Sequence, residues 1–305
     1  MVQEVVHHLR CSRGGLFVDG TLGTGGHTLA ILQNSPAPTQ VIGIDRDPES
    51  IILAREKLSP FSNRLQLIHG KFGDVKDILF HSGFEAVDGI LLDLGFSSFQ
   101  LESPERGFSF QREDPLDMRM DRSQGRTARE WLARAKEKEL AQVLRQYGEE
   151  RWANRIAKKV TAFPAGKAIE TTRELADRVA EAIPRKYWPK RLHPATRTFQ
   201  ALRILVNDEL AQLKNFLEQF IRVLNPGGRV CLLSYHSLED RLIKEAFLKL
   251  ERGTPTGQTS PNLLETPKRP VFKRINPKPW SASPEEVREN PRARSAKLRV
   301  GERLS

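Results

Sequence analysis

The feature that most constrains this chain is a unit repeated through its first hundred residues. A short unbroken apolar run ends in a turn, and a helical pattern follows. Leu16-Phe17-Val18 ends at Asp19, Val41-Ile42-Gly43-Ile44 ends at Asp45, and the run 87–92 ends at Asp93; Leu65-Gln66-Leu67-Ile68 is a further such run. Helical patterns separate them, one through Leu29-Ala30-Ile31-Leu32, the next through Ile51, Ile52, Ala54, Arg55 and Leu58 after Pro48. Proline is tolerated at a helix start because its missing N–H has no partner there anyway. Strands that are apolar at consecutive positions are covered on both faces, and alternation with helices makes the sheet parallel. Ligands of such sheets bind outside the carboxyl ends of the strands, where the acidic residues stand.

The pattern then changes. Residues 101–125 are polar, with Pro104, Gly107, Pro115 and Gly125, and read as a loop. From 127 to about 224 the chain reads as helices. Thr127 with Glu130 and Thr171 with Glu174 match the capping box. Leu175, Val179 and Ile183 share one helical face, which Pro184 terminates. One long amphipathic helix is expected after His193-Pro194, with Phe199, Leu202, Leu213, Phe216, Leu217, Phe220 and Val223 inward. Leu-Asn-Pro-Gly-Gly (224–228) ends it, and Arg229-Val230-Cys231-Leu232-Leu233-Ser234 returns to the sheet as a fifth strand. A helix over 238–250 follows, then a Gly-, Pro-, Thr- and Ser-containing stretch at 253–262 that reads as mobile. Strands over 271–275 and 296–300 are placed to close the sheet as an antiparallel edge. The expected fold class is therefore α/β: a Rossmann-like sheet over 1–105 and 220–305, carrying an all-helical insertion over 106–219.

At 305 residues, 38% hydrophobic and 29% charged, the chain buries a core without staples. Cys11 and Cys231 stand apart, without metal-ligand spacing, and read as reduced buried thiols. No apolar run approaches the roughly 20 residues of a membrane span, and the first residues lack a signal-peptide pattern; a cytoplasmic location is expected. The charge is +11, from 49 Lys and Arg against 38 Asp and Glu. Residues 267–303 alone hold eleven Lys and Arg and four Glu, a local surplus of +7. Such a surface attracts polyphosphate, although solvated decoration accounts for charge equally well.

The first strand runs into Asp-Gly-Thr-Leu-Gly-Thr-Gly-Gly-His (19–27). Glycines there let the backbone approach a ligand closely at a helix N-terminus. A phosphate loop would need Gly-Lys-Ser/Thr, whereas this one offers Gly-Gly-His-Thr and no lysine. Asp45, at the end of the second strand, suits the ribose hydroxyls of a nucleoside. That holds for a nicotinamide and a sulfonium cofactor alike. An acid directly before the glycines, Asp19, disfavours a pyrophosphate but not a sulfonium. Leu-Asn-Pro-Gly-Gly-Arg-Val (224–230) resembles the turn into the fifth strand of Rossmann-like methyltransferases. Phe72, in His-Gly-Lys-Phe-Gly-Asp (69–74), is placed either to flank an adenine ring or to pack in the core.

Eight motifs, in order, make the resemblance specific. They are 19–27 above, Leu-Leu-Asp-Leu-Gly-Phe-Ser-Ser (91–98), Glu-Arg-Gly-Phe-Ser-Phe (105–110), Pro-Leu-Asp-Met-Arg-Met (115–120) and Tyr-Gly-Glu-Glu-Arg (147–151). His-Pro-Ala-Thr-Arg-Thr-Phe-Gln-Ala-Leu-Arg (193–203), Ser-Tyr-His-Ser-Leu-Glu-Asp-Arg (234–241) and Asn-Pro-Arg-Ala-Arg-Ser (290–295) complete them. Over nearly its whole length the chain resembles the bacterial small-subunit ribosomal RNA cytosine 4-amino methyltransferases, the RsmH or MraW family. Phe96 and Tyr235 stand where that family usually has Val and Phe. Family members also usually carry several residues, including a histidine, before the segment with which this chain opens.

The resemblance implies S-adenosylmethionine at Gly25, Gly26, His27, Asp45, Phe72, Asp93 and Gln100. It implies a cytosine in the decoding region of 16S rRNA as substrate, with the insertion helping to hold RNA. The 30S subunit is then the expected setting, and a homodimer is compatible with the sequence. Methyl transfer needs alignment more than covalent chemistry from the protein. The cytosine amine is a poor nucleophile, and an acceptor on its N–H stabilises developing positive charge. Asp93 is the expected catalytic residue. His236 is expected either to line the base pocket or to cap a helix. The expected RNA contacts are His193, Arg197, Arg203, Arg292 and Arg294, since arginines grip phosphate and stack on bases; salt-bridged helix faces are the plainer reading. A nicotinamide oxidoreductase lacks a second mononucleotide half. An RNA-binding assembly factor with a relic cofactor fold sits badly with the intact Gly25, Gly26, His27, Asp45 and Asp93.

Overall fold

A computed structural model describes residues 1–162, 168–189, 192–253 and 270–305, apart from the Ser98 side chain. The chain divides into two compact units, one of residues 1–95 and 210–305, the other of 96–209.

The first unit holds the sheet. In chain order its elements begin with α1 (Val2–Leu9), β1 (Leu16–Asp19), α2 (Gly26–Gln33), β2 (Gln40–Asp45) and α3 (Pro48–Lys57). They continue through β3 (Leu65–His69), α4 (Val75–His81) and β4 (Val87–Asp93). The second unit supplies α5 (Ser98–Glu102), α6 (Ala128–Leu132), α7 (Glu137–Gly148), α8 (Ala153–Thr161), α9 (Thr172–Ala182) and α10 (Thr196–Asn207). Back in the sheet unit come α11 (Glu209–Gln219, its first residue still in the helical unit), β5 (Leu224–Ser234), α12 (Ser237–Glu251), β6 (Phe272–Arg274), β7 (Trp280–Ser281), α13 (Pro284–Glu289) and β8 (Lys297–Arg303).

Strand order is β3-β2-β1-β4-β5-β8-β6, with β7 also pairing β8. The first five strands are parallel. The β8 strand runs antiparallel to β5, β6 and β7, so the expected antiparallel closure is present. Alternate residues feed two cores. Val18, Ile90, Leu92, Val230 and Leu232 pack with α4, α11 and α12 through Leu79, Phe216 and Phe247. Phe17, Leu91, Cys231 and Leu233 pack with α1, α2 and α3 through Leu9, Ile31 and Ala54. Period-two alternation between two covered faces is what makes every position of these strands apolar. Cys11 and Cys231 are buried and free, as expected, and burial pushes the Cys11 thiol up to about 12.

Three expectations are corrected. The long helix after His193-Pro194 is two helices, because Asp208 takes a left-handed conformation at φ 55°. The unit boundary falls there, at 209/210, and at 95/96, about ten residues earlier on each side than the sequence suggested. The reason is α11: Leu213, Phe216 and Leu217 bury their side chains in the sheet core, so this helix belongs to the sheet. Strand five starts earlier, at Leu224, whose partner is Val87; the next pair is Gly89 with Arg229. The Asn-Pro-Gly-Gly turn survives as an irregularity inside a longer strand, with Gly227 at φ 77°.

The helical unit has its own core, including Leu140, Leu144, Ile156, Leu175, Val179, Phe199 and Leu202. Thr127 and Glu130 form the expected reciprocal cap. At Thr171 only half of it forms: its hydroxyl accepts from the Glu174 N–H, but Glu174 reaches the Glu170 N–H. The expected polar loop before Thr127 is an internal structure without regular elements. Arg106 is fully buried and donates to the Met120 carbonyl, and the Arg106 carbonyl accepts from the Met118 N–H. Gly107, at φ 72°, leaves no room for a side chain, since a Cβ would lie 2.6 Å from the Pro115 carbonyl oxygen. The stretch 253–262 lies outside the described residues beyond Gly253, as do Lys268 and Arg269 of the basic segment.

Candidate functional site

Three strand ends and one helix start converge within the sheet unit. After β1 the chain turns through Gly20, whose N–H donates to the Leu91 carbonyl, and Leu22, whose N–H donates to the Ile44 carbonyl. These bonds stitch the loop to β4 and β2. Gly20 needs to be small, because a Cβ would sit 2.4 Å from Leu92 Cδ2. Gly25, at φ 80°, caps α2 in the left-handed region, which favours glycine. At Gly26 a Cβ would meet nothing within 4 Å, so this side of the loop is open.

Asp19 is fully buried. Its carboxylate accepts from Thr28 Oγ1 at 2.7 Å and the Thr21 N–H at 3.3 Å. Burial pushes its carboxyl above the usual range, opposed by nearby His27 and the Thr28 hydroxyl. Asp19 therefore holds the loop and the first turn of α2 together.

Asp45 ends β2 with its carboxylate partly buried. Oδ2 accepts from the Gly23 N–H at 2.6 Å and Oδ1 from the Asp47 N–H at 2.8 Å. Burial raises its pKa to about 6, against those two N–H donors. Each oxygen keeps further acceptor capacity.

Asp93 ends β4. Its N–H donates to Thr21 Oγ1 at 2.6 Å, which ties the end of β4 to the glycine loop. Oδ1 accepts from the Tyr235 hydroxyl at 2.7 Å, and Oδ2 lies 3.5 Å from His27 Nδ1. The carboxylate is 27% exposed. On His27 the other nitrogen, Nε2, is buried and has no partner among the described residues. Phe72 follows β3, half-buried, edge-on to Phe216 at 6.2 Å. Gly25, Gly26, His27, Asp45, Phe72 and Asp93 thus belong to one unit and cluster at the carboxyl ends of its strands. Gln100 lies in the other unit, where its side-chain oxygen accepts from the Ser97 N–H in the cap of α5.

His236 is the cap of α12. Its Nδ1 accepts from the Glu239 N–H, and its Nε2 lies 3.1 Å from Glu239 Oε1. Glu239, buried, also accepts from the Tyr235 N–H at 2.9 Å. The ring is engaged in holding the turn that presents Tyr235, so the capping reading describes its contacts. Sequence reasoning missed Tyr235 and Thr21 as neighbours of Asp93. The available signal was positional: both lie just past strand ends adjoining β4.

Among the candidate RNA contacts, Arg203 is engaged in an internal ion pair. Its guanidinium is 11% exposed, paired with both Glu209 oxygens at 2.8 Å and stacked over Phe96 at 5.0 Å. That ion pair leaves it little to offer phosphate. Exposed Arg197 donates to the Glu149 carbonyl at 3.0 Å. His193, also exposed, packs against Phe110 with ring centroids 4.7 Å apart and planes tilted by 34°. Partial burial pushes its imidazole below the usual range, with Asp177 opposing, so near neutral pH it offers a ring face rather than a charge. Arg292 and Arg294 are exposed on the turn Pro291–Ser295 of the sheet unit.

Four basic residues of the C-terminal segment are engaged within the sheet unit. Arg274 pairs with Glu251, Arg303 donates to the Leu224 carbonyl, and Lys297 and Arg299 both bind Asp240. Burial works against the Asp240 charge, yet Arg299 and Lys297 hold its carboxyl below the usual range.

The residues present fit a nucleoside cofactor with a cationic amino-acid tail. They supply an open glycine turn at a helix start, a carboxylate with spare acceptor capacity at the second strand end, an unpartnered buried nitrogen on His27, and a second carboxylate at the fourth strand end. No lysine stands in the loop to meet phosphate.

A model of the MraW methylase family matches residues 1–304. Ribosomal RNA small subunit methyltransferase H of Geobacter sp. (strain M21) is 47% identical over 304 residues, covering 99% of this chain and 96% of that protein. The protein of that name from Geotalea uraniireducens (strain Rf4) is 46% identical over 304 residues, covering 100% and 97%. A third, from Geobacter sulfurreducens, is 45% identical over 304 residues, covering 100% and 97%.

Proposed function

This chain belongs to the MraW methylase family, and from that premise we propose that it is an S-adenosylmethionine-dependent methyltransferase of small-subunit ribosomal RNA, acting on the exocyclic 4-amino group of a cytosine in the 16S decoding region. The observation that carries this reading is the clustering of the open glycine turn, Asp45 and Asp93 at adjoining strand ends. When bound, the cofactor would supply a sulfonium methyl group, which passes in line to an aligned amine as the carbon–sulfur bond breaks and the neutral thioether leaves.

The chain's own residues bind, orient and accept. Asp45 accepts the ribose hydroxyls. Gly25 and Gly26 let the backbone approach the amino-acid tail, and His27 offers Nε2. Phe72 flanks the adenine, and Gln100 belongs to the cofactor set on family resemblance. Asp93 accepts a hydrogen bond from the target amine, which returns the ring-delocalised lone pair to nitrogen and stabilises the charge that develops. The Tyr235 hydroxyl fixes the rotation of that carboxylate, and His236 acts through the α12 cap. A cytosine reaches such a site only outside a base stack, so the substrate strand is unpaired or the base is flipped. His193, Arg197, Arg292 and Arg294 contact the RNA. The assembled 30S subunit is the substrate form we favour, in the cytoplasm; a homodimer is part of the same reading. Among the described residues no helix is long and apolar enough to cross a membrane.

The deciding experiment supplies labelled S-adenosylmethionine with 30S subunits from a strain lacking this activity, beside naked 16S rRNA, and identifies the labelled nucleoside by mass spectrometry. Label in 4-methylated cytidine is the expected result. Absence of label on both, with the cofactor still bound, would return the chain to an RNA-binding assembly factor. Asp93→Ala should lower turnover by at least about a hundredfold, the scale of losing a positioned charge-stabilising group; near-normal turnover would remove Asp93 from the reacting centre.

A further inference from the structure

The helical unit carries a surface that none of the RNA-contact expectations named. Between α7 and α8, Arg151 lies over the rings of Trp152 at 5.6 Å and Tyr187 at 5.4 Å. Arg155, on α8, lies over the same cluster, 5.5 Å from the Trp152 ring. Lys186 sits 5.0 Å from the Tyr187 ring and Arg185 5.7 Å from the Trp188 ring. The Trp152 and Tyr187 centroids are 5.1 Å apart. All four cations are exposed, as is Tyr187 at 41%.

None of these four cations forms an ion pair with a carboxylate among the described residues, although acids are near in sequence. Glu150 is buried and accepts from the Trp152 N–H, while Glu181 is taken by Lys159. An exposed arginine with an accessible carboxylate ordinarily pairs with it; here each rests on a ring instead. The aromatic frame is fixed from below. Trp188 Nε1 donates to the Ile183 carbonyl at 2.9 Å, and Arg151 donates to the Tyr187 carbonyl at 3.3 Å. The result is a held set of ring faces covered by cations that no carboxylate among the described residues neutralises.

We propose that this patch of Arg151, Arg155, Lys186, Trp152 and Tyr187 is a binding surface for single-stranded RNA that adjoins the His193–Arg197 region, since Arg197 donates to the Glu149 carbonyl and the Trp188 and His193 rings lie 6.4 Å apart. The inference rests on the reading that the chain acts on RNA. Phosphates recruit the cations, and bases replace the guanidinium groups on the ring faces. Aromatic faces take any base and cationic rims take the backbone, which is the pairing that unpaired nucleic acid requires. A polar protein partner would use the charges but would not need the rings.

The test compares the full-length protein with Tyr187→Ala and with Arg151→Gln/Arg155→Gln/Lys186→Gln. The probe is an unpaired oligoribonucleotide of about ten nucleotides, within the span one such surface binds, followed by tryptophan fluorescence at several salt concentrations; methyl transfer to 30S subunits is measured in parallel. Unchanged melting and S-adenosylhomocysteine affinity report that the variants fold. The wild type should show quenching on titration. Tyr187→Ala should bind the oligonucleotide about tenfold more weakly. The triple variant should reduce the slope of log affinity against log salt by about 2, since each phosphate that a cation no longer neutralises removes roughly 0.7. Affinity and slope equal to wild type would overturn the proposal. Weaker retention on 30S subunits with oligonucleotide binding unchanged would also overturn it, in favour of a protein partner. If the wild type fails to methylate any RNA, the proposed function falls, and the oligonucleotide titration still decides the patch by itself.

Discussion

At the scale of single residues, Asp45 and Asp93 show how one residue type does different work at two strand ends. Asp45 has its carboxyl raised to about 6, because burial outweighs its two backbone donors. A raised pKa in the folded state means that the stability linked to this proton is present at low pH and is lost as the pH rises through about 6. Ribose hydroxyls donate best to the ionised form, so cofactor affinity should move the other way. Binding of S-adenosylhomocysteine, followed by calorimetry across neutral and mildly acidic pH, should weaken as the pH falls below about 6. Asp45→Asn should bind weakly at every pH, and a flat wild-type profile would take the ribose away from Asp45.

Asp93 is held differently, by the Thr21 hydroxyl at its N–H and the Tyr235 hydroxyl at its carboxylate. Burial and the neighbouring Asp93 and Glu239 charges push the Tyr235 phenol well above its ordinary value, so it stays a proton donor throughout the working range. Tyr235→Phe keeps the ring and removes only this hydrogen bond. It should reduce kcat about tenfold, equivalent to about 1.4 kcal/mol, with the KM for RNA nearly unchanged. A change in KM alone would place Tyr235 in substrate binding.

Among the elements, the break between α10 and α11 is the most informative. Asn207 is buried, and its amide donates to the Met118 carbonyl at 2.7 Å and the Arg203 carbonyl at 2.9 Å. Its oxygen accepts from the Met120 N–H at 2.8 Å. One side chain thereby satisfies the backbone of an internal segment that has no ladder of its own and in which Met118 takes φ 65°. Asn207→Ala leaves a buried N–H and carbonyl unpaired, at about 1–3 kcal/mol for each such group. We expect the variant to be destabilised by about 2–4 kcal/mol on chemical unfolding. A change of less than about 0.5 kcal/mol would mean that water replaces the amide. Asp208, the next residue, supplies the left-handed turn that lets α11 leave the helical unit and pack its Leu213 and Phe216 on the sheet.

For the molecule as a whole, the +11 charge predicts a steep salt dependence, but structure reduces the number of charges available. Arg203, Arg274, Lys297, Arg299 and Arg303 are engaged internally. With Arg292 set aside, five exposed arginines come from the surfaces discussed above: Arg151, Arg155, Arg185, Arg197 and Arg294. With one phosphate each, at about 0.7 per phosphate, the log–log slope for unpaired RNA is about −3.5. A rise from about 50 to about 200 mM salt should then lower affinity about a hundredfold, measured by filter binding. A slope near zero would show that the basic residues are solvated decoration.

The sequence by itself determined the sheet and the strand-end positions of the candidate cofactor residues within it. Continuous apolar strands and acids at strand ends are local signals, and strand order confines ligands to one edge of a parallel sheet. The late antiparallel strands and the Thr127 cap were legible for the same reason. What tertiary structure decided were partners distant along the chain. Tyr235 meets Asp93 across 142 positions, and Asn207 meets Met120 across 87. Arg203 pairs with Glu209 only because Asp208 breaks the helix between them. An arginine in a motif has the same letters whether it faces a phosphate or a carboxylate. Which one it meets depends on how buried it becomes and on what folds beside it, and neither is written in local spacing.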